Sequence, residues 1–210
     1  MIRVFIADDH AIFREGLRRV LAFAGDMDVS GEARNGREVL SQAPRGSHDV
    51  LLLDLNMPGP GGIELIRRVR NEVPRLPILV LTVHDEAEIA RRAIAAGAAG
   101  YLTKDGEPEA LFEAVRTVAR GRHYVEQTVA SRVLFQSAAD DGKVPHHQLS
   151  NREFDVFRRL AAGNTIPAIA AALGISPKTV STHKFRLMQK LGLTSDGELI
   201  RYALRHRLVE

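Results

Sequence analysis

Four consecutive apolar residues, Val50-Leu51-Leu52-Leu53, run directly into Asp54 and constrain the fold more than any other stretch of the chain. A half-buried strand alternates apolar and polar residues; one that is apolar throughout is covered on both faces, as in a parallel sheet between helix layers. Ile78–Leu81 repeats the pattern. Around these two runs, strand and helix signals alternate. Ile2–Ala7 is a short run rich in β-branched residues. Ala11–Ala24 has helical spacing, with Ile12, Leu17, Val20 and Leu21 on one stripe. Val29–Ala33 reads as a strand, and a helix begins near Gly36. Met57-Pro58-Gly59-Pro60-Gly61-Gly62 is a turn, Ile63–Val69 is helical, and Pro74 and Pro77 close that unit. A helix over Glu86–Ala96, a strand at Tyr101-Leu102-Thr103 and a helix over Glu107–Ala119 complete the series. Five βα units predict an α/β architecture, an open and doubly wound five-stranded parallel sheet.

Composition narrows the function. No apolar run approaches the roughly 18–20 residues that cross a bilayer, and the first residues are strand-like rather than a secretion leader. No membrane association and a cytoplasmic location are therefore expected. The chain has no cysteine, which excludes a disulfide scaffold, a thiolate nucleophile and Cys-ligated metals. Charge is uneven. Residues 1–125 hold 17 basic and 18 acidic side chains, residues 126–147 hold 2 and 3, and residues 148–210 hold 10 and 5. The basic C-terminal segment suits a polyanion partner, although small domains often carry a few net charges by chance.

In doubly wound sheets, functional groups gather at the carboxyl ends of the strands. Here the first strand ends in Asp8-Asp9, the third in Asp54, the fourth in Thr82 and the fifth in Thr103-Lys104. Converging carboxylates repel unless a counter-charge is present, and oxygen-only ligands favour Mg2+. A divalent cation, an ammonium and a hydroxyl suit a phosphoryl group, and one carboxylate could be its nucleophile. Taken singly, each aspartate could be a helix cap and Lys104 a surface residue; their joint placement on four strand ends points to a site.

Ala7-Asp8-Asp9-His10, Leu52-Leu53-Asp54-Leu55-Asn56-Met57-Pro58-Gly59, Leu81-Thr82 and Gly97–Lys104 resemble the receiver domain of two-component response regulators, over roughly residues 1–122. The resemblance implies a flavodoxin-like fold in which Asp54 accepts a phosphoryl group from a sensor histidine kinase. It implies Mg2+ held by Asp8, Asp9, Asp54 and the backbone carbonyl of Asn56. Thr82 and Lys104 would contact the phosphoryl oxygens, and Thr82 with Tyr101 would form the switch. Asp105 departs from the proline that many receivers carry after the lysine. His84 lies where relatives tune autodephosphorylation, and reads more simply as an exposed loop residue; His10 reads as a helix-start residue.

Beyond Gly121 the pattern changes. Val125–Gln136 fits one short helix, and Ser137–His147 is a small, polar linker broken by Gly and Pro. His146-His147 alone is too few ligands for a metal. Residues 123–147 are expected to join the receiver to a third segment, 148–210. There Ser150-Asn151-Arg152-Glu153 fits a capping box, Thr165 and Ser176 fit helix caps, and Gly163, Gly174 and Gly192 fit helix stops. This is a small all-α unit with two helices joined by a Gly-containing turn, the helix-turn-helix arrangement. On the helix after Ser176, Val180, Leu187 and Leu191 share the core face, and Lys178, Thr182, Phe185 and Gln189 lie opposite, flanked by Ser181 and Arg186. Ser181, Thr182 and Phe185 suit base edges, and Lys178, Lys184, Arg186 and Lys190 suit phosphates; the same residues also fit an ordinary solvated face. Leu149–Glu153, Ile169-Ala170 with Leu173, and Ile175–Lys184 with Leu191-Gly192 resemble the LuxR-type helix-turn-helix of NarL/FixJ response regulators, which implies DNA contacts along this helix from Lys178 and Thr179 to Lys190. Ser181 stands where many relatives carry a basic residue, and Ile166-Pro167-Ala168 replaces a polar helix start.

The expected whole is a regulator of transcription that binds double-stranded promoter DNA as a phosphorylation-favoured homodimer, a phosphoacceptor rather than a turnover enzyme. A phosphatase using Asp54 and Mg2+ is an alternative, weakened because Asn56 is not an acid. A switch whose helical tail binds protein is another.

Overall fold

A computed structural model of the chain describes residues 1–58, 60–83, 86–139, 145–206 and 208–209. They form two compact units, Met1–Arg132 and Val133–Glu210. Gly59, His84, Asp85 and linker residues 140–144 lie outside the described residues.

The first unit alternates β1 (Ile2–Ala7), α1 (Ala11–Phe23), β2 (Met27–Ala33), α2 (Gly36–Gln42), β3 (Val50–Leu53), α3 (Gly62–Glu72), β4 (Ile78–Thr82), α4 (Ala87–Ala95), β5 (Gly100–Thr103), α5 (Pro108–Ala119) and β6 (Tyr124–Val125). A further helix, α6 (Gln127–Ala139), starts in this unit. All strand pairs are parallel, in the order β2-β1-β3-β4-β5-β6. The chain winds outward from β1 to β2 and then returns across to β3, so the topological switch lies between β1 and β3. As the apolar runs require, β3, β4 and β5 are buried at every position. Alternate residues of the sheet, among them Ile6, Leu52, Leu79 and Leu81, share a core with Leu17 and Leu21 of α1 and with Leu111, Val115 and Val118 of α5.

Two expectations are revised. The sheet has a sixth strand, because Tyr124 N–H donates to Ala99 O (3.1 Å) and Glu126 N–H to Tyr101 O (3.1 Å), adding a two-residue edge to β5. A two-residue strand carries no periodicity; the helix expected over Val125–Gln136 instead starts at Gln127, leaves Val125 to the strand and runs through Ala139, into the Ser137–His147 stretch. In α1, Ile12 is 91% exposed and is not part of the buried stripe, whereas Arg14 is buried. Ile12 is five residues before Leu17, some 140° away around the helix.

The far end of the sheet is pinned by a reciprocal contact. Asp49 N–H donates to Arg3 O (2.7 Å), Arg3 N–H donates to Asp49 Oδ2 (2.8 Å), and Arg3 Nη2 reaches Asp49 Oδ1 (3.0 Å).

In the second unit a 3₁₀ turn at Pro145–Gln148 precedes α7 (Asn151–Ala161), α8 (Ile166–Leu173), α9 (Pro177–Leu191) and α10 (Asp196–Arg205). Each α-helix has a side-chain cap: Ser150 with a full capping box to Glu153, then Thr165, Ser176 and Ser195. Gly174 and Gly192 end α8 and α9 in the left-handed conformation that glycine adopts without steric cost. Phe154, Phe157, Ile169, Leu173, Val180, Leu187, Leu191 and Leu199 are buried.

Gly36 opens α2 against the loop that follows β3; a Cβ there would lie 1.6 Å from Pro60 O. Backbone cannot yield as a flexible side chain does, so Gly36→Ala should destabilise the protein by about 2 kcal/mol. Gly121→Ala, which meets nothing within 4 Å, adds only the strain of its positive φ. Urea unfolding of both variants checks the difference.

Candidate functional site

Backbone register builds the site. Ala7 of β1 is paired with Leu53 of β3, so the next residue of each strand, Asp8 and Asp54, emerges side by side at the β1/β3 switch. Asp54 N–H donates to Ala7 O at 2.8 Å and fixes that step. Thr82 of β4 is paired with Thr103 of β5, and Lys104 N–H donates to Thr82 O at 2.8 Å. The four strand ends expected to converge therefore do so.

Asp8 and Asp54 are both buried, and so is Thr82. Lys104 Nζ bridges the two carboxylates, 2.5 Å from Asp8 Oδ2 and 2.8 Å from Asp54 Oδ2. The Phe13 ring lies beneath the ammonium, its centroid at 4.5 Å. Asp54 Oδ1 accepts from Asn56 N–H at 3.1 Å. The more exposed Asp9 approaches His10 Nδ1 (3.1 Å), which also lies 3.2 Å from Asp8 Oδ1. Tyr101 is fully buried in β5.

Burial pushes the Asp54 carboxyl up from its ordinary range. Lys104 and the Asn56 N–H pull it back, and the charge of Asp8 adds to the rise; the net direction is upward. Potential ligand atoms of Asp8, Asp9, His10 and Asp54 lie within 4.8 Å of one another. One ammonium does not neutralise three aspartates, and carboxylate oxygens dominate the donor set, so the residues fit a hard divalent cation such as Mg2+.

Sequence reading missed three residues around this cluster. Arg14 Nη1 donates to Asp8 O at 2.7 Å, and no motif in the sequence singles it out. His10 reaches two of the carboxylates rather than merely starting α1. Glu126, from beyond the five βα units, accepts from Thr103 N–H and hydroxyl.

The second candidate surface is α9. Val180, Leu187 and Leu191 are buried on it, and Lys178, Thr179, Ser181, Thr182, Phe185, Arg186 and Gln189 are exposed. Phe185 is 64% exposed. The hydroxyls of Ser181 and Thr182 donate to Pro177 O and Lys178 O, so they face a ligand chiefly as acceptors. Lys184 and Lys190 differ from the phosphate-facing lysines expected. Lys184 is ion-paired with Asp196 at 2.6 Å. Lys190 bonds the buried Glu153 carboxylate at 2.6 Å and Gln148 O at 3.2 Å. Among the described residues no helix is long and apolar enough to cross a membrane.

Comparison with known proteins agrees with this geometry. Residues 4–116 match the response regulator receiver domain family and residues 147–203 the luxR family of bacterial regulatory proteins. The chain is 36% identical to the response regulator GacA of Pseudomonas protegens, over all of its own length and 99% of that protein. It is 35% identical to the response regulator UvrY of Escherichia coli, over 99% of its length and 96% of the relative's. Among solved structures, RcsB of Salmonella enterica serovar Typhimurium bound to promoter rprA with the phosphomimetic BeF3- aligns with a TM-score of 0.71. Identity there is 32%, with 96% of this chain and 97% of that chain covered.

Two outcomes follow from the electrostatics. A carboxyl whose folded pKa is raised costs stability once pH rises through that value. Asp54→Asn should therefore be more stable than wild type at neutral pH, with the gain shrinking toward acid; thermal melts across pH test this, and a less stable variant at neutrality contradicts it. For Glu153, burial acts to raise its pKa, but Lys190 and Ser150 together hold it below the ordinary range. That stability is present above the unfolded pKa and lost as pH falls through the folded one. Lys190→Met should cost about 1 kcal/mol near neutrality, exposure at the lysine end limiting the loss. The cost should fade in acid, as pH-dependent urea unfolding would show.

Proposed function

Because the chain belongs to the response regulators that join a receiver domain to a LuxR-type DNA-binding domain, we propose that it regulates transcription through phosphorylation of Asp54. The observation that carries this reading is Lys104 Nζ held between Asp8 and Asp54, residues far apart in sequence that meet at the β1/β3 switch. The phosphodonor is a phosphohistidine of a sensor kinase. A carboxylate oxygen of Asp54 attacks the phosphorus, the O–P bond forms as the donor's P–N bond breaks, and the released imidazole nitrogen takes a proton. Attack requires the ionised carboxylate, which burial opposes and Lys104 supports. Asp8, Asp9, Asp54 and the Asn56 carbonyl would hold Mg2+, which supplies positive charge against the phosphoryl oxygens. Thr82 and Lys104 bind those oxygens in the product, drawing Lys104 away from its present bridge, and Tyr101 with Thr82 forms the switch. The chain's own chemistry stops at this phosphotransfer and the later autodephosphorylation.

The output is double-stranded promoter DNA, read by α9. Lys178, Thr179, Ser181, Thr182, Phe185, Arg186 and Gln189 form its contact face, and Lys184 and Lys190 reach phosphates only by giving up their internal ion pairs. The phosphorylated form is a cytoplasmic homodimer that reads two half-sites related by a two-fold axis. The domains run over residues 1–122 and 148–210, and the residues between, 123–147, include β6, which extends the first sheet, and α6.

The test is intact mass together with retention on a pool of randomised duplex DNA, with Mg2+ and with or without acetyl phosphate. Wild type should gain one phosphoryl group and hold DNA more tightly, and Asp54→Ala should lose both effects. Phosphorylation with unchanged retention would move the output to a protein partner; no phosphorylation would remove the reading.

A further inference from the structure

We propose that Glu126 is a positioning residue that locks the Lys104 end of β5 to the first turn of α6, so that a shift of Lys104 is transmitted into that helix. The inference rests on the phosphorylation of Asp54 proposed above. Glu126 Oε2 accepts from Thr103 N–H at 2.9 Å and from Thr103 Oγ1 at 2.7 Å. The other oxygen, Oε1, accepts from Thr128 Oγ1 at 2.8 Å. Its backbone is engaged as well: Glu126 N–H donates to Tyr101 O at 3.1 Å, and Glu126 O accepts the helix-opening bond from Ala130 N–H at 2.8 Å. One residue thus closes the β5–β6 ladder, starts α6 and grips the last residue of β5.

Thr103 is buried and immediately precedes Lys104. Lys104 is held by its own N–H to Thr82 O and by its ammonium to Asp8 and Asp54. When Asp54 becomes the acyl phosphate, the Asp54 half of that bridge is lost and Lys104 follows the phosphoryl oxygens. Displacement of its backbone must pass through Thr103, and the carboxylate bonds to Thr103 are charge-assisted, among the stronger of their kind. On the helix side the turn is anchored by buried Val129. Beyond it, α6 extends to Ala139, past Arg132, where the first compact unit ends. Glu126 lies outside the phosphoryl site, so its removal should leave the chemistry intact and break only the transmission.

The test uses the full chain treated with acetyl phosphate and Mg2+. Intact mass reads phosphorylation, and amide hydrogen exchange over residues 124–134 reads α6. In wild type, phosphorylation should change exchange in the first turn by about tenfold, a local opening change of ~1.4 kcal/mol. Glu126→Ala should be phosphorylated to the same extent with that response abolished. Glu126→Gln keeps an oxygen that accepts both Thr103 bonds and should retain most of the response, a rescue that a merely structural role would not produce. If Glu126→Ala does not fold, Thr103→Val, which removes the 2.7 Å bond but keeps the β-branched shape, should show a reduced response. A wild-type-sized response in Glu126→Ala or Thr103→Val overturns the proposal, as does phosphorylated wild type with unchanged exchange. Unphosphorylated wild type removes the Asp54 reading itself, and is recognised from the mass alone.

Discussion

Two aspartates emerge next to each other at the β1/β3 switch, in surroundings where a carboxylate is costly and two are costlier. The Lys104 ammonium between them offsets that cost. Much of the first unit is arranged around that ammonium. β4 holds its backbone through Thr82, β5 delivers it, Phe13 of α1 lies against it, and Arg14 fixes the Asp8 carbonyl. Burial favours the neutral acid at Asp54 and the ammonium favours the anion. A change at Lys104 is therefore felt at Asp54.

The second unit follows a different rule. Its helices are short, and isolated helices of this length are marginal in water, so packing of the apolar faces is joined by side-chain caps and by the Glu153–Lys190 pair, buried at its carboxylate end only. Glu153 completes the Ser150 capping box and accepts Lys190 from α9. One carboxylate therefore both starts α7 and fastens the helix that presents the exposed Phe185 face. Charge that seemed destined for phosphate is in part internal scaffolding.

What the sequence made legible follows from how local the signal is. Continuous apolar strands, turn glycines, caps such as Ser150 and Ser176, and acids at strand ends are written within a few residues, and the structure shows those elements. The receiver positions Asp8, Asp54, Thr82 and Lys104 do gather on one edge. Signals that depend on distant partners were not legible. β6 exists only because β5 offers an open edge; Lys184 and Lys190 read as free cations until Asp196 and Glu153 are folded against them; and Glu126 has no local mark that separates it from a surface acid. Ile12 lies out of phase with the buried stripe of α1, and Arg14 takes the buried position, where Asp8 offers it a carbonyl.

The contact between Arg3 and Asp49 has a consequence beyond its energy. An exposed ion pair adds little stability, and its side chains are 47% and 36% exposed. Yet β3 is apolar on both faces, so hydrophobicity cannot tell one alignment of β3 on β1 from its neighbour one residue away. A slip of that size would keep the oily strand buried while turning Asp54 to the opposite side of the sheet from Asp8. The pair at the amino ends of the strands thus acts as an alignment pin. It proofreads, at the far edge of the sheet, the meeting of two carboxylates that it never touches.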